Sequence, residues 1–358
     1  MVIGVVIVTF NARAIIVDCL ESLLASEGAK LRVVVVDNAS TDNTLETIRE
    51  WCDGAHSWSA DGVPFEPAPH GPIALREGAP GRGPGEIGLI AAPENLGFAG
   101  GVNLGLRALI ADPEVSCFWI LNPDCMAENG TARKLLDCAR RTGPFGLICG
   151  RIYYATPRHL IQSDGGRINF WTGTCTPFNM TRQGRDIPPP PPGSLQYVPG
   201  THMFASRAFL ERAGPMPEDY FLYYEEMEWC QRRGDLPLVS CPEAAVHHHG
   251  GHSIGSATIN HGPSPMSVYF MGRARMRFVA RHRPVAAPIA FAYAAAKAAR
   301  YALRREPKRA GALMRGILGL PPTRATLRAI GRKRLPRTRP SAPAWQPHPD
   351  PSLEGAMR

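Results

Sequence analysis

The 358-residue chain has 44% hydrophobic residues and a formal net charge of +9, an ordinary makeup for a water-soluble globular protein. Its longest apolar run, Val285 to Ala296, holds about a dozen residues, which is too few to span a bilayer. The nine cysteines are scattered without a C-x-x-C pair, which argues against a disulfide framework and fits a reducing compartment.

The N-terminal "VIGVVIVTF" is a continuous β-branched run without a basic leader. It predicts a strand buried on both faces rather than a signal peptide. A helical pattern follows through "AIIVDCLESLLAS", then a second buried strand, "LRVVVVDNAS", completing a βαβ unit that implies a parallel sheet. "STDNTLETIREW" opens a helix on good capping residues. Residues 53–86, rich in Gly, Pro and Ala, predict an extended and poorly ordered insertion.

"IGLIAAP" predicts a third strand, and "NLGFAGGVNLGLRALIA" a glycine-rich turn entering a helix. "CFWILNPDC" reads as a strand ending in a polar turn, "TARKLLDCARR" as a helix, and "FGLICGRIYY" as a fifth strand. The polyproline stretch "IPPPPPG" is a stiff surface linker. "LQYVPGTHMFASRAFLERAG" then predicts strand and helix, "LPLVSCPEAAVHHH" a further strand, and Met266 onward an increasingly basic helical region.

Ligands of open α/β sheets bind at the carboxyl ends of strands. Here the first strand ends at Thr9-Phe10-Asn11, the second at Asp37-Asn38 and the fourth at Asn122-Pro123-Asp124. Each is also ordinary turn chemistry, but three polar strand ends can meet in one crevice. No G-x-G-x-x-G follows the first strand, which argues against a nicotinamide or flavin site. Gly97, Gly100, Gly101 and Gly105 could admit a ligand to the backbone or let a helix pack tightly on the sheet. Asp124 could hold a divalent cation against a diphosphate. In "AVHHHGGHS", His247 and His249 oppose His248 on a strand, and His252 follows the glycines. "FLYYEEMEW" sets Glu225, Glu226 and Glu228 among aromatics, where carboxylates are costly unless used.

Taken in order, "VVIVTFNA", "VVVVDNASTD", "NLGFAGGVN", "LNPD", "YVPGTHMFASRAFL", "FLYYEEMEW" and "HHHGGHS" resemble the motif series of family 2 glycosyltransferases. The likeness covers roughly residues 2–282 and is nearest to bacterial rhamnosyltransferases of surface-polysaccharide assembly. It implies a GT-A fold, an α/β architecture with a mainly parallel Rossmann-like sheet flanked by helices. A nucleotide-binding half over 1–150 and an acceptor half over 151–282 would form one domain, followed by a basic helical extension over 283–335 and a disordered tail over 336–358.

The implied reaction is inverting transfer of a sugar, L-rhamnose being one candidate, from a dTDP- or UDP-linked donor to a glycan or lipid-linked acceptor. The resemblance puts Thr9 and Asp37 near the nucleotide base, Asn11 among the nucleotide-binding residues, Asn95, Gly97 and Asn103 in the glycine-rich nucleotide segment, and Asn122 and Asp124 at the D-x-D position. It puts a Mg2+ or Mn2+ ion on Asp124 with His248, counted back from Ser253, or alternatively His249. Glu226 falls on the general base, Glu225 beside it, and Glu228 on the last acid of the motif, with Glu where Asp is frequent. A non-catalytic sugar-nucleotide-binding protein of the same fold is the alternative.

Residues 297–358 hold fifteen Lys or Arg against three acids, an excess of +12, so residues 1–296 carry −3. Such a tail suits an anionic membrane surface and a cytoplasmic protein peripheral to the inner face of the cell membrane. Nucleic acid is not an expected partner, since no nucleic-acid-binding motif accompanies the charge.

Overall fold

The computed structural model describes residues 1–250, 255, 261–335 and 345. His252 and Ser253, and the tail beyond 335 apart from Trp345, lie outside them.

The apolar runs form the expected alternation. It begins with β1 (Val2–Thr9), α1 (Ile16–Leu24), β2 (Lys30–Asp37), α2 (Thr44–Cys52), β3 (Ala74–Glu77), β4 (Glu86–Ala91) and α3 (Gly97–Ile110). It continues with β5 (Val115–Leu121), β6 (Cys125–Ala127), α4 (Thr131–Thr142), β7 (Leu147–Tyr154), β8 (Ile161–Ser163), β9 (Gly166–Asn169) and β10 (Thr174–Pro177). The remaining elements are β11 (His202–Ser206), α5 (Arg207–Ala213), α6 (Glu225–Gln231), β12 (Leu238–His248), α7 (Pro265–His282), α8 (Ala287–Leu303), α9 (Pro307–Ile317) and α10 (Arg324–Ala329).

The main sheet has the order β3-β4-β2-β1-β5-β11-β7-β12-β6, with β8 paired to β7, and β9 and β10 form a separate antiparallel hairpin. The β1, β2, β4 and β3 set is parallel throughout, as are β1 with β5 and β7 with β12. β11 lies antiparallel between β5 and β7, joining the strands of the two halves. Alternate residues of β1 and β2 enter two separate cores. Ile3, Val5 and Ile7 pack under α1 and α2, and Val6 and Val8 pack under α3. That is why these strands read as unbroken apolar runs.

α3 sits close on β1. A Cβ on Gly101 would meet Val8 Cγ1 at 2.5 Å, and one on Gly105 would meet Val6 Cγ1 at 2.6 Å. These two glycines are therefore helix–sheet packing residues rather than ligand contacts.

The segment 53–86 departs from the expectation of disorder. β3 pairs parallel with β4, Phe65 is buried with Met126 and Ala155, and Trp58 Nε1 donates to Asp18 at 2.8 Å. The C-terminal helices pack on α7 through Val268, Ala294, Ala298, Leu313 and Ile317. Tyr269 of α7 donates its hydroxyl to the Leu320 carbonyl at 2.8 Å. Beyond α10 the chain crosses back to the carboxyl end of the sheet, where Ile330 is buried with Phe221, Leu222, Tyr269 and Phe270.

Candidate active site

The carboxyl ends of β1, β2 and β5 open on a cleft of about 230 Å³. Its walls are Phe10 and Asn38 from the first two strand ends, the Asn122–Asp124 turn, the Asn95–Phe98 region, Glu225 with Glu226, and His248. Met266, Ile330 and the Pro199–Thr201 turn line it as well.

The aromatic stretch before α6 is a rigid backbone device. Phe221, Tyr223 and Tyr224 have φ of 70°, 68° and 70°, a region that bulky residues rarely adopt and that costs on the order of 1–3 kcal/mol each. Side-chain anchors hold it there. Tyr224 donates to the Gly173 carbonyl and accepts from Arg275 Nε, Tyr223 bonds Ser267, and Phe221 stacks on Phe270. The turn delivers Glu225 and Glu226 into the cleft at the start of α6.

One oxygen of each of these carboxyls is buried without a hydrogen-bond partner among the described residues. Burial pushes the Glu226 carboxyl up to about 7. Burial, and then the charge of Glu226, raise Glu225 well above the ordinary range. Glu228 faces elsewhere. It accepts from Tyr220 at 3.0 Å and His282 at 2.7 Å, and Arg232 lies at 3.5 Å. Burial opposes its ionisation, but His282, Tyr220 and Arg232 outweigh it and lower its pKa. Glu228 thus anchors α6 and does not line the cleft, unlike the catalytic position expected from the motif.

At the end of β5, Asp124 Oδ1 stands 3.1 Å from His248 Nε2, and Asp124 Oδ2 accepts from the Gly250 amide at 3.1 Å. Burial resists ionisation of Asp124, yet His248 overrides it and the pKa is lowered. His248 Nδ1 meets Gln162 Oε1 at 2.7 Å. With that nitrogen donating, the lone pair of Nε2 faces the Asp124 carboxylate, an arrangement completed by a proton or a cation.

Cys125 Sγ also falls within 4.8 Å of these ligand atoms. Burial, Asp124 and Cys19 keep its thiol protonated, so it is a poor ligand for a hard cation. A Mg2+- or Mn2+-type ion therefore fits Asp124 and His248 as protein ligands, leaving its other positions to oxygen donors. His248 lines the cleft and His249 does not; the His249 amide donates to the Asp124 carbonyl at 3.0 Å.

The expected nucleotide residues divide. Thr9 and Asp37 are paired across β1 and β2 and fully buried, and Thr9 Oγ1 and Asp37 Oδ1 have no hydrogen-bond partner among the described residues. Burial raises the Asp37 pKa, although the Ser40 amide donates to its other oxygen at 3.0 Å. Asn122 lines the cleft, with its amide bonded to the Thr201 carbonyl at 3.0 Å. Asn95 and Gly97 line it as well. Gly97 has φ of 78°, and a Cβ there would lie 2.4 Å from the Phe221 carbonyl oxygen.

Asn103 is a correction. Its side chain is buried on α3 and bonds the Met216 backbone twice, at 2.8 Å each way, and Glu218 at 2.8 Å. It locks the loop before the acidic turn and does not reach the cleft. Asn11 also lies outside the cleft, on a separate hollow with Arg13, Thr41, Asp42 and His56.

Two features of the site go beyond the sequence reading, which names Asn38 only as part of a polar strand end. Asn38 Nδ2 donates to Asn95 Oδ1 at 3.1 Å and to the Gly97 carbonyl at 2.9 Å, while its Oδ1 accepts from the Leu96 amide at 2.9 Å. Its place beside Asp37 was the available signal. The second is the return of the chain after α10. Asn95 Nδ2 donates to the Ile330 carbonyl at 3.1 Å, and Arg332 bonds the Asn95 carbonyl and pairs with Glu94 at 2.9 Å. No motif marks a contact 235 residues distant.

Residues 4–62 match the family described as glycosyl transferase family 2. Over 255 residues the chain is 22% identical to the low-salt glycan biosynthesis hexosyltransferase Agl10 of Haloferax volcanii, covering 69% of this chain and 67% of that protein. It is 25% identical over 279 residues to the N-acetylglucosaminyl-diphospho-decaprenol L-rhamnosyltransferase of Mycobacterium tuberculosis, covering 73% of this chain and 80% of the relative. The structure of S. aureus TarS 1-349 in complex with UDP-GlcNAc superposes with a TM-score of 0.50 at 15% identity, covering 92% of this chain and 82% of that one. The S. aureus TarS chain is covered over only 39% of its length, at a TM-score of 0.45. The matched segment and both relatives are glycosyltransferase sequences, and the α/β fold with its mainly parallel sheet agrees with the GT-A architecture.

Proposed function

We propose that this chain is an inverting glycosyltransferase that moves a sugar from a nucleoside-diphosphate donor to a glycan or lipid-linked glycan acceptor, with Glu226 as general base. The observation that carries the reading is the presence, in one cleft, of two carboxyls that each keep one buried oxygen without a partner and an Asp124–His248 pair suited to a cation.

Inversion takes one displacement. Glu226 removes the proton of the acceptor hydroxyl, whose oxygen bonds the anomeric carbon as the bond from that carbon to the diphosphate oxygen breaks. Glu226 suits the role because its carboxyl, raised to about 7, is substantially ionised at neutral pH and basic enough to take a proton. Burial and the charge of Glu226 disfavour ionisation of Glu225 beside it. Asp124 and His248 would hold a divalent cation, which when bound neutralises charge on the diphosphate leaving group. Asp37 is buried behind the cleft-lining Asn38, and its unpartnered Oδ1 is an acceptor that suits the ring N–H of uracil, thymine or guanine; of these the motif resemblance favours a dTDP- or UDP-linked donor. The name of the mycobacterial relative makes L-rhamnose and a polyprenyl-diphosphate-linked acceptor the first substrates to try.

The test is a donor screen. Purified protein is given a panel of sugar nucleotides with Mg2+ or Mn2+ and a lipid-linked acceptor, and released nucleoside diphosphate is detected. Acceptor-dependent release from a pyrimidine-linked donor, abolished by EDTA and restored by metal, is the expected result. Failure of every donor in the presence of acceptor, with the nucleotides still binding, would point to the non-catalytic alternative.

A further inference from the structure

The outer surface has a marked asymmetry that the catalytic reading leaves unexplained. Nine large apolar side chains are exposed among the described residues, and apart from Met1 all lie at Trp171 or beyond. Val285, Ile289, Tyr293 and Leu303 belong to α8 or the turn leading into it, with exposures of 74%, 47%, 46% and 85%. The helix is sided. Ala290, Ala294 and Ala298 are buried at four-residue spacing against the α7–α9 layer, and Ile289, Ala292, Ala296 and Leu303 face outward on the opposite side. Near its start, Trp171, at the tip of the β9–β10 hairpin, is itself exposed and carries the Arg283 guanidinium 3.8 Å from its ring centroid.

Charge on this surface is predominantly basic, and its one acid near the helix end, Glu306, pairs with Arg309. No Asp or Glu occurs from Ala244 to Arg305, a stretch with nine Lys or Arg. Arg300, Arg304, Arg305 and Lys308 are exposed at the C-terminal end of α8, and none has an ion-pair partner among the described residues. The combination of an uncharged outward helix face, an exposed tryptophan and unpaired cations at one end is that of a helix lying in a lipid–water interface. At 17 residues α8 is about 26 Å long, and no helix of the described residues is long and apolar enough to cross a membrane. A second copy of the chain would bring the same cations against themselves. Nucleic acid would meet the cations but leave the apolar stripe in water.

We propose that the outer face of α8, with Trp171 and the cations at 300–308, docks the protein on an anionic lipid surface. The apolar stripe enters the headgroup boundary, and Arg300, Arg304, Arg305 and Lys308 meet lipid phosphates. This inference does not depend on the glycosyltransferase reading and can fail without it.

The test is co-sedimentation of the full chain with phosphatidylcholine vesicles, with and without phosphatidylglycerol, at low and high salt. Binding should require the anionic lipid and weaken with salt. The Arg304→Gln/Lys308→Gln variant should lose roughly fivefold in affinity per cation removed. The Ile289→Ser/Leu303→Ser variant should lose roughly tenfold or more while keeping its circular-dichroism spectrum, since both positions are exposed. In the unaltered protein, brominated lipid should quench tryptophan fluorescence, and Trp171→Phe should remove that quenching. Binding indifferent to both double variants would overturn the proposal. So would a dimer broken by Ile289→Ser/Leu303→Ser, which would assign the face to a second copy. Tighter binding to RNA than to anionic vesicles would overturn it as well.

Discussion

Glu226 owes its chemistry to where the backbone leaves it. A glutamate at a helix start is normally stabilised as an anion by the helix dipole. Here burial wins, and the carboxyl rises to about 7. If the ionised form is the base, kcat/KM should fall as pH drops through about 7 and level off above it, because protonation removes the acceptor lone pair. A pH–rate profile that is flat across this range would contradict the assignment. The residue types of the site were legible because carboxylates among aromatics, and polar residues at strand ends, are costly without a use. Their directions were not. Asn103 and Glu228 carry suitable chemistry, but α3 turns the first onto Met216 and Glu218, and α6 turns the second onto Tyr220 and His282. Sequence spacing shows that these residues are near the motif and leaves open which way they point.

Two elements meet the acidic turn, and each gives a prediction. At the start of α3 the Phe98 amide donates to the Phe221 carbonyl at 3.0 Å, and the absence of a side chain on Gly97 permits that approach. Gly97→Ala should destabilise the fold by more than about 1 kcal/mol, from positive φ and the backbone clash together, and lower the melting midpoint. An unchanged melt would show that the two segments separate freely. The second element is the return after α10. Arg332 grips Glu94 and Asn95, and Asn95 in turn bonds Asn38 and the Gly97 amide. Arg332→Ala should weaken donor nucleotide binding several-fold while kcat at saturation stays near the unaltered value; a fall in kcat alone would count against this role. The long α and β runs could be read from their periodicity, but these short connections could not. β3, β8, β9 and β10 have three or four residues each, and their pairing is set by neighbours distant in sequence.

At the scale of the molecule, the parallel order of β1, β2 and β4 follows from the βαβ pattern, and with it the position of the cleft at the carboxyl strand ends. The insertion of β11 between β5 and β7 does not follow, since no local pattern tells an antiparallel strand where to enter a sheet. That insertion sets the Pro199–Thr201 turn, which lines the cleft, beside the Asn122–Asp124 turn. Glu225 and Glu226 of the acidic turn thereby share one opening with Asp124. The central claim is that this opening performs base-assisted sugar transfer. Single-turnover kinetics of Glu226→Gln, with donor affinity measured in parallel, test it most directly. The substitution keeps the side-chain shape but cannot accept the proton. Turnover should fall by roughly a hundredfold or more with donor affinity preserved, whereas near-unaltered turnover in the folded variant would contradict the account.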